Sequence, residues 1–522
     1  MTAARSQYWL DQFVVSVLAE HPSGEILVSS GISPSASYHI GHFREALTAD
    51  AIAWALRREG RVAKHVHVVD DFDPLRKRYH FLPETFESFV GWPICLVPDP
   101  FDCHSSYAQH YSAEFKEAAA RMGVEMEVVH SYEDFYLNGR MAPYIERSIE
   151  RLEVIKRVFA DVSHREVAND WVPLQILSDN NSFTEWRFEK LEPATRTLVY
   201  RDAQGEVGSM KYDDGRVKLN WRLDWPARWA LLGVDVEPYG KEHATKGGSY
   251  DTGAEFVDKV FEAKAPTPLP YDTVNMVGDT KKMSSSLGNL VTPGQALEIM
   301  PPEILRFFIL RSLPKRVVYF DPGLGLYNLV DEYAKLEAAV DGGLHPEFEQ
   351  AYRVAAATGE QKVISSVPFN HLVSVYQTAQ GDVAVVKTVL ERGGYHDQVA
   401  QEWPVIEREL AFVARWLTTY APDSVKFEVQ AELPHVALSD EQRQFVTTLA
   451  ETIATESDLN GQGMHDAIYA ASLSANLKPA QAFTTLYQLI LGQDKGPKAG
   501  FFLSSLDRPW LLERLQSAAA SF

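Results

Sequence analysis

Two cysteines, Cys95 and Cys103, are all that the 522 residues contain. So few exclude a disulfide framework and a four-cysteine zinc site, and they fit a reducing cytoplasm. Long apolar runs are also missing. No stretch approaches the roughly 18 apolar residues of a membrane span, so no membrane partner is expected. Met1 to Leu10 has no basic stretch followed by an apolar core, so no secretory signal is read there. Cations are scarce: 50 Lys and Arg stand against 71 Asp and Glu, a formal charge of −21. Because phosphate contacts need Lys and Arg, a nucleic-acid partner would have to be met by local basic patches on an otherwise acidic surface. The chain shows no internal repeat and no low-complexity tract.

What is there is enough apolar material, 45% of residues, for large cores, and enough length for two to four domains. A short strand, Glu25 to Ser29, runs into Ser30-Gly31-Ile32-Ser33-Pro34-Ser35-Ala36-Ser37-Tyr38-His39-Ile40-Gly41-His42. A helix leaves that stretch, with apolar residues at Ile40, Phe43, Leu47, Ala51 and Trp54 and a stop at Gly60. His39 and His42 therefore sit at a helix N-terminus, where free N–H groups and the helix dipole suit a phosphate. Val66 to Asp73 reads as a buried strand ending in Asp70, Asp71 and Asp73, and acidic strand ends of α/β sheets face the ligand crevice. Ala142 to Val162 reads as one long helix. Residues 165–220 alternate short strand-like pieces with turns. Leu219 to Trp229 is dense in aromatics and guanidinium groups, and Pro226 is placed to open a helix. Tyr271 to Val277 reads as the last strand. From about residue 330 onward the pattern is helical. Cys103, His104 and His110 match no standard ligand spacing, so no metal is expected.

Far downstream of the histidines stands Lys281-Lys282-Met283-Ser284-Ser285-Ser286-Leu287-Gly288-Asn289. Together the two stretches resemble the His-Ile-Gly-His and Lys-Met-Ser-Lys-Ser motifs of class I aminoacyl-tRNA synthetases. Asp70 to Lys77, Glu237 to His243, Gly247 to Gly253 and Leu329 to Glu337 are similar to the class I lysyl-tRNA synthetases, so the resemblance covers nearly the whole chain. It implies an α/β fold: a Rossmann-type parallel-sheet catalytic domain with a β-rich insertion, followed by an all-α C-terminal helical cage. The expected divisions are 1–164 and 219–290 for the two halves of the catalytic domain, 165–218 for the insertion, 291–345 for a stem-contact region and 346–522 for an anticodon-binding domain.

The activity implied is ATP-dependent activation of L-lysine and transfer to tRNA(Lys), in the cytoplasm. The alternatives are a paralogue serving a non-tRNA acceptor and a nonenzymatic tRNA-binding relative. Carried over onto matching positions, His39, His42 and Lys282 are catalytic. Pro34, His39, Ile40, Gly41, His42, Lys282, Met283, Ser284, Ser285 and Ser286 meet ATP. Gly31, Ser33, Trp221, His243 and Tyr271 meet lysine. Mg²⁺ would accompany ATP. The carboxylate for the lysine ammonium stays open among Glu45, Asp70 and Glu242. Relatives often carry zinc-binding cysteines in the insertion. Here it has Ser178 and Asn181 and no cysteine, so no structural zinc is expected. The helical half as a whole is expected to bind the anticodon arm; it carries Trp403, Trp416, Tyr420 and the basic turn Lys495 to Lys498, and each of these aromatics taken singly reads better as helix core.

Overall fold

The structure is a computed structural model that describes residues 8–278, 283, 290–345, 348–359, 362–456 and 459–521. The described residues fall into two compact units. The first runs to Ala296 and takes in Leu305–Phe320 and Gln350–Thr358; the second holds Leu297–Ile304, Asp321–Glu349 and the remainder of the chain. The chain therefore re-enters the first unit after the expected stem-contact region. Arg306 explains the return: its guanidinium donates to the carbonyls of Met122 and Val354 at 3.0 and 3.1 Å.

In the first unit, α1 (Trp9–Glu20) precedes β1 (Ile26–Ile32), α2 (Ile40–Arg58) and β2 (Ala63–Val69). Then come α3 (Tyr107–Arg121), β3 (Glu127–His130), α4 (Ala142–Glu150) and α5 (Leu152–Ser163). The long helix read from the sequence is thus two helices, broken at Arg151 (φ −103°, ψ 21°). The insertion supplies β4 (Leu174–Ile176), β5 (Trp186–Glu192), β6 (Thr197–Asp202), β7 (Val207–Lys211) and β8 (Val217–Leu219). β5, β6 and β7 form an antiparallel sheet, and β4 pairs with β8.

α6 (Trp221–Leu232) starts one residue after Asn220, whose side chain accepts the Arg222 N–H. Pro226 lies inside this helix rather than opening it. β9 (Val236–Gly240), α7 (Ser249–Lys259) and β10 (Thr267–Tyr271) complete the main fold. The central sheet has the order β10-β9-β1-β2-β3, and all its pairings are parallel. From β1 the chain first adds strands on one side and then returns to the other. The order reverses between β1 and β9, which is where open α/β sheets bind ligands.

The strand expected over 271–277 is two strands. β10 ends at Tyr271, and β11 (Val274–Met276) pairs instead with β12 (Val318–Phe320). The buried Arg44 guanidinium makes the corner. It donates to the carbonyls of Asp272 and Thr273 (2.7 and 3.2 Å) and of Leu313 and Pro314 (3.2 and 2.9 Å), which takes them out of the main ladder.

The second unit is helical; no strand follows Phe320 among the described residues. Its core includes Phe445, Leu449, Ile468, Leu486, Phe502 and Leu515. Trp416 is fully buried and donates its indole N–H to the Pro322 carbonyl at 2.6 Å. It is a core residue, the role that a single aromatic of this half was expected to have. No helix among the described residues is long and apolar enough to cross a membrane.

Candidate active site

A cavity of about 340 Å³ opens at the switch point. The ends of β1, β2, β9 and β10 contribute Ser29 to Ser33, Val68 and Asp70, Glu237 to Gly240, and Tyr271. α2 adds His42 and Glu45, and α6 adds Trp221, Trp225, Arg228 and Trp229. Gly31, Ser33, Trp221, His243 and Tyr271, scattered over 240 positions of sequence, all line this one cavity. All three tryptophans of α6 reach it, where a single substrate-facing one was expected.

His39 caps α2 and His42 lies in its first turn. Their rings stack with centroids 3.7 Å apart and 18° between planes, and the His39 N–H donates to His42 Nδ1 at 3.3 Å. Gly41 makes room for this: a Cβ there would lie 2.8 Å from the His39 ring. Pro34 is buried, and Ile40 is fully buried with its N–H bonded to the Val291 carbonyl at 3.0 Å, so the Ile40 side chain belongs to the core. Met283 is buried. Lys281, Lys282, Ser284, Ser285 and Ser286 lie outside the described residues.

The carboxylates sort into two groups. Asp70 is held by Arg228 at 2.8 Å, and Arg228 also pairs with Asp224, which accepts from the Tyr136 hydroxyl. The buried Lys218 pairs with Asp73. These acids are already neutralised, which removes Asp70 from the candidates for a substrate ammonium. Glu242 is exposed at the cavity's edge.

Glu45 and Glu237 differ. Both are buried, and among the described residues neither has a cation within ion-pair distance. Glu45 accepts from the Gly31 N–H at 2.6 Å and from the Tyr271 hydroxyl. Burial pushes its carboxyl up to about 8 in spite of those two donors. Glu237 accepts from the indole N–H groups of Trp225, at 3.2 Å, and Trp229. Burial pushes it up to about 7 against them. Glu237 was not singled out in the sequence, although a glutamate beside Val236 in β9, all but one of whose residues are buried, was there to be questioned.

A second cluster lies at the start of α3. Asp99, Cys103, His104 and His110 bring one donor atom each to within 4.8 Å of one another. Cys103 Sγ is 3.1 Å from His104 Nδ1 and 3.2 Å from His110 Nδ1, and the Asp99 carboxylate is 3.4 Å from His110 Nδ1. Asp99 also accepts the N–H groups of Phe101, Cys103 and His104, which fixes the turn. One sulfur, two imidazoles and a carboxylate form a donor set that suits zinc. The turn around Asp99 thus brings together donor groups whose juxtaposition their sequence spacing does not display.

With this geometry in hand, the comparisons are specific. The family model described as tRNA synthetases class I (K) matches residues 7–360. The lysine–tRNA ligase of Archaeoglobus fulgidus is 37% identical over 98% of this chain and 100% of its own. That of Methanosarcina barkeri is 36% identical, covering 98% of each chain, and that of Pyrococcus horikoshii is 30% identical, covering 98% and 99%. The chain is a class I aminoacyl-tRNA synthetase by its family match, and it belongs to the lysyl family within that class.

Proposed function

We propose that this protein activates L-lysine with ATP to lysyl-adenylate and transfers the lysyl group to tRNA(Lys). One observation carries the reading. The cavity at the switch point holds two buried carboxylates, Glu45 and Glu237, with no cation within ion-pair distance among the described residues, and lysine brings two ammonium groups. A buried carboxylate is costly until a cation offsets it, so each is paired by substrate rather than by protein.

The assignment follows from what the reaction must align. The α-carboxylate of lysine has to face the α-phosphorus of ATP, at the end of the cavity where the paired histidines stand. The α-ammonium, one carbon away, falls to Glu45, three residues beyond His42 on α2. The four-carbon stem runs along Trp221 and Trp225, and the ε-ammonium falls to Glu237. A carboxylate oxygen of lysine attacks the α-phosphorus as the bond to pyrophosphate breaks. His39 and His42 donate hydrogen bonds to the phosphates as charge builds there. Lys282 is assigned to the departing pyrophosphate as a point charge. Mg²⁺ would accompany ATP as a substrate ion and would supply charge neutralisation at the phosphates.

Aminoacylation of a tRNA(Lys) transcript by the purified full-length chain tests the proposal. Lysine- and ATP-dependent formation of lysyl-tRNA is the expected result. Turnover of ATP with lysine but no charging would point to a different acceptor.

A further inference from the structure

Beside the catalytic cavity runs Arg76-Lys77-Arg78-Tyr79-His80-Phe81. It contains the one run of three consecutive cations in a chain of net charge −21, and no acid occurs between Asp73 and Glu84. Arg76 itself lines the cavity.

The segment has no regular secondary structure but is pinned at both ends. The Leu75 N–H donates to the Trp92 carbonyl at 2.7 Å, and its carbonyl accepts from Gly91 at 2.9 Å. Leu82 is buried, and its N–H donates to the Tyr79 carbonyl at 3.0 Å. Arg78 is spent on this frame, donating to the Leu82 carbonyl at 2.9 Å and meeting Glu87 at 3.4 Å. The others face out. Arg76 is 81% exposed and meets Asp73 only at 3.7 Å. Lys77 is exposed, has no carboxylate within ion-pair distance among the described residues, and sits 5.5 Å over the Tyr79 ring. Tyr79 and Phe81 lie parallel, 8° apart, with Phe81 37% exposed. A fixed strip of cations and parallel rings is the surface on which unpaired nucleotides stack and neutralise their phosphates.

We infer that this strip seats the unpaired 3′ end of the acceptor RNA and guides its terminal ribose into the cavity. The inference rests on the tRNA-ligase reading above and adds where the RNA enters. Aminoacyl transfer requires that ribose to reach the adenylate, and the strip borders the cavity in which the adenylate would form. On an acidic chain a phosphate backbone is met by local basic patches, and this strip is one.

The test uses full-length protein carrying Lys77→Ala, Phe81→Ala or both. Both side chains are exposed, so the fold should tolerate their loss. Lysine-dependent ATP–pyrophosphate exchange is expected to stay within about twofold of wild type. The Kd for tRNA(Lys) should rise roughly tenfold for Phe81→Ala, the loss expected for one stacked base. For Lys77→Ala, the slope of log K against log salt should fall by about 0.7, the value for one contact to a single strand. Binding of tRNA(Lys) trimmed of its unpaired 3′ nucleotides should be the same for wild type and variants. Unchanged affinity for intact tRNA would overturn the inference, and so would an equal loss on the trimmed tRNA, which would place the contact elsewhere. A fall in exchange would show that the strip serves ATP instead. If the wild-type protein shows no lysine-dependent exchange, the ligase reading fails first, and this inference with it.

Discussion

Tyr271, at the end of β10, donates its hydroxyl proton to Glu45 on α2, a residue 226 positions earlier in the chain. The Gly31 N–H meets the other oxygen of the same carboxylate. Two of the residues expected to hold lysine are thus joined through a third. An ammonium arriving at Glu45 finds a carboxylate already oriented from both sides.

This arrangement has a pH signature. Glu45 ordinarily titrates near 4.5 and is pushed up to about 8 by burial. A raised carboxyl favours its neutral form in the folded chain, so its contribution to stability falls as pH rises from about 4.5 towards 8. Binding an ammonium needs the ionised form and releases the proton. Lysine affinity should therefore climb as pH rises towards about 8 and fall again at higher pH, where the α-ammonium of free lysine itself loses its proton. Calorimetric titration of lysine from pH 6 to 9 checks this, and Glu45→Gln should flatten the profile and weaken binding by roughly a hundredfold or more.

Glu237 should govern selectivity for the side chain. Glu237→Gln is expected to lower kcat/KM for lysine strongly while leaving norleucine, which lacks the ε-ammonium, nearly unaffected. Glu45→Gln should depress both substrates together. Pyrophosphate exchange with the two amino acids measures the difference, and the opposite pattern would exchange the two roles.

His39→Ala and His42→Ala should each slow adenylate formation by about a hundredfold or more, because one lost donor to developing charge costs about 3 kcal/mol. The Kd for lysine should change little. Rapid-quench kinetics and equilibrium binding separate the two effects.

The cluster of Asp99, Cys103, His104 and His110 sharpens the test of the expected absence of metal. Elemental analysis of the purified chain should find no stoichiometric zinc, and about one zinc per chain, lost in Cys103→Ala, would overturn that expectation. Since Asp99 fixes the turn through three N–H groups, a chelator should leave Tm unchanged.

The strand, turn and helix around His39 were legible because each is local: apolar spacing, a helix start and a stop at Gly60 lie within forty residues. The corner at Asp272 was not, because Arg44, 228 positions away, makes it. The metal candidate was hidden for a similar reason. Its four ligands are drawn together by Asp99 bonding to the backbone of the turn, which ligand spacing does not record. For the lysine pocket, the resemblance brought Trp221, His243 and Tyr271 forward. Glu237 needed the fold, since what distinguishes it is burial with no cation within ion-pair distance among the described residues.

The most direct measurement of the central claim is ATP–pyrophosphate exchange by the purified wild-type chain with each of the twenty amino acids in turn. A cavity that leaves Glu45 and Glu237 for the two ammonium groups of its substrate predicts exchange stimulated by lysine far above every other amino acid. Stimulation by a different amino acid as strong as that by lysine, or none by lysine, would contradict it.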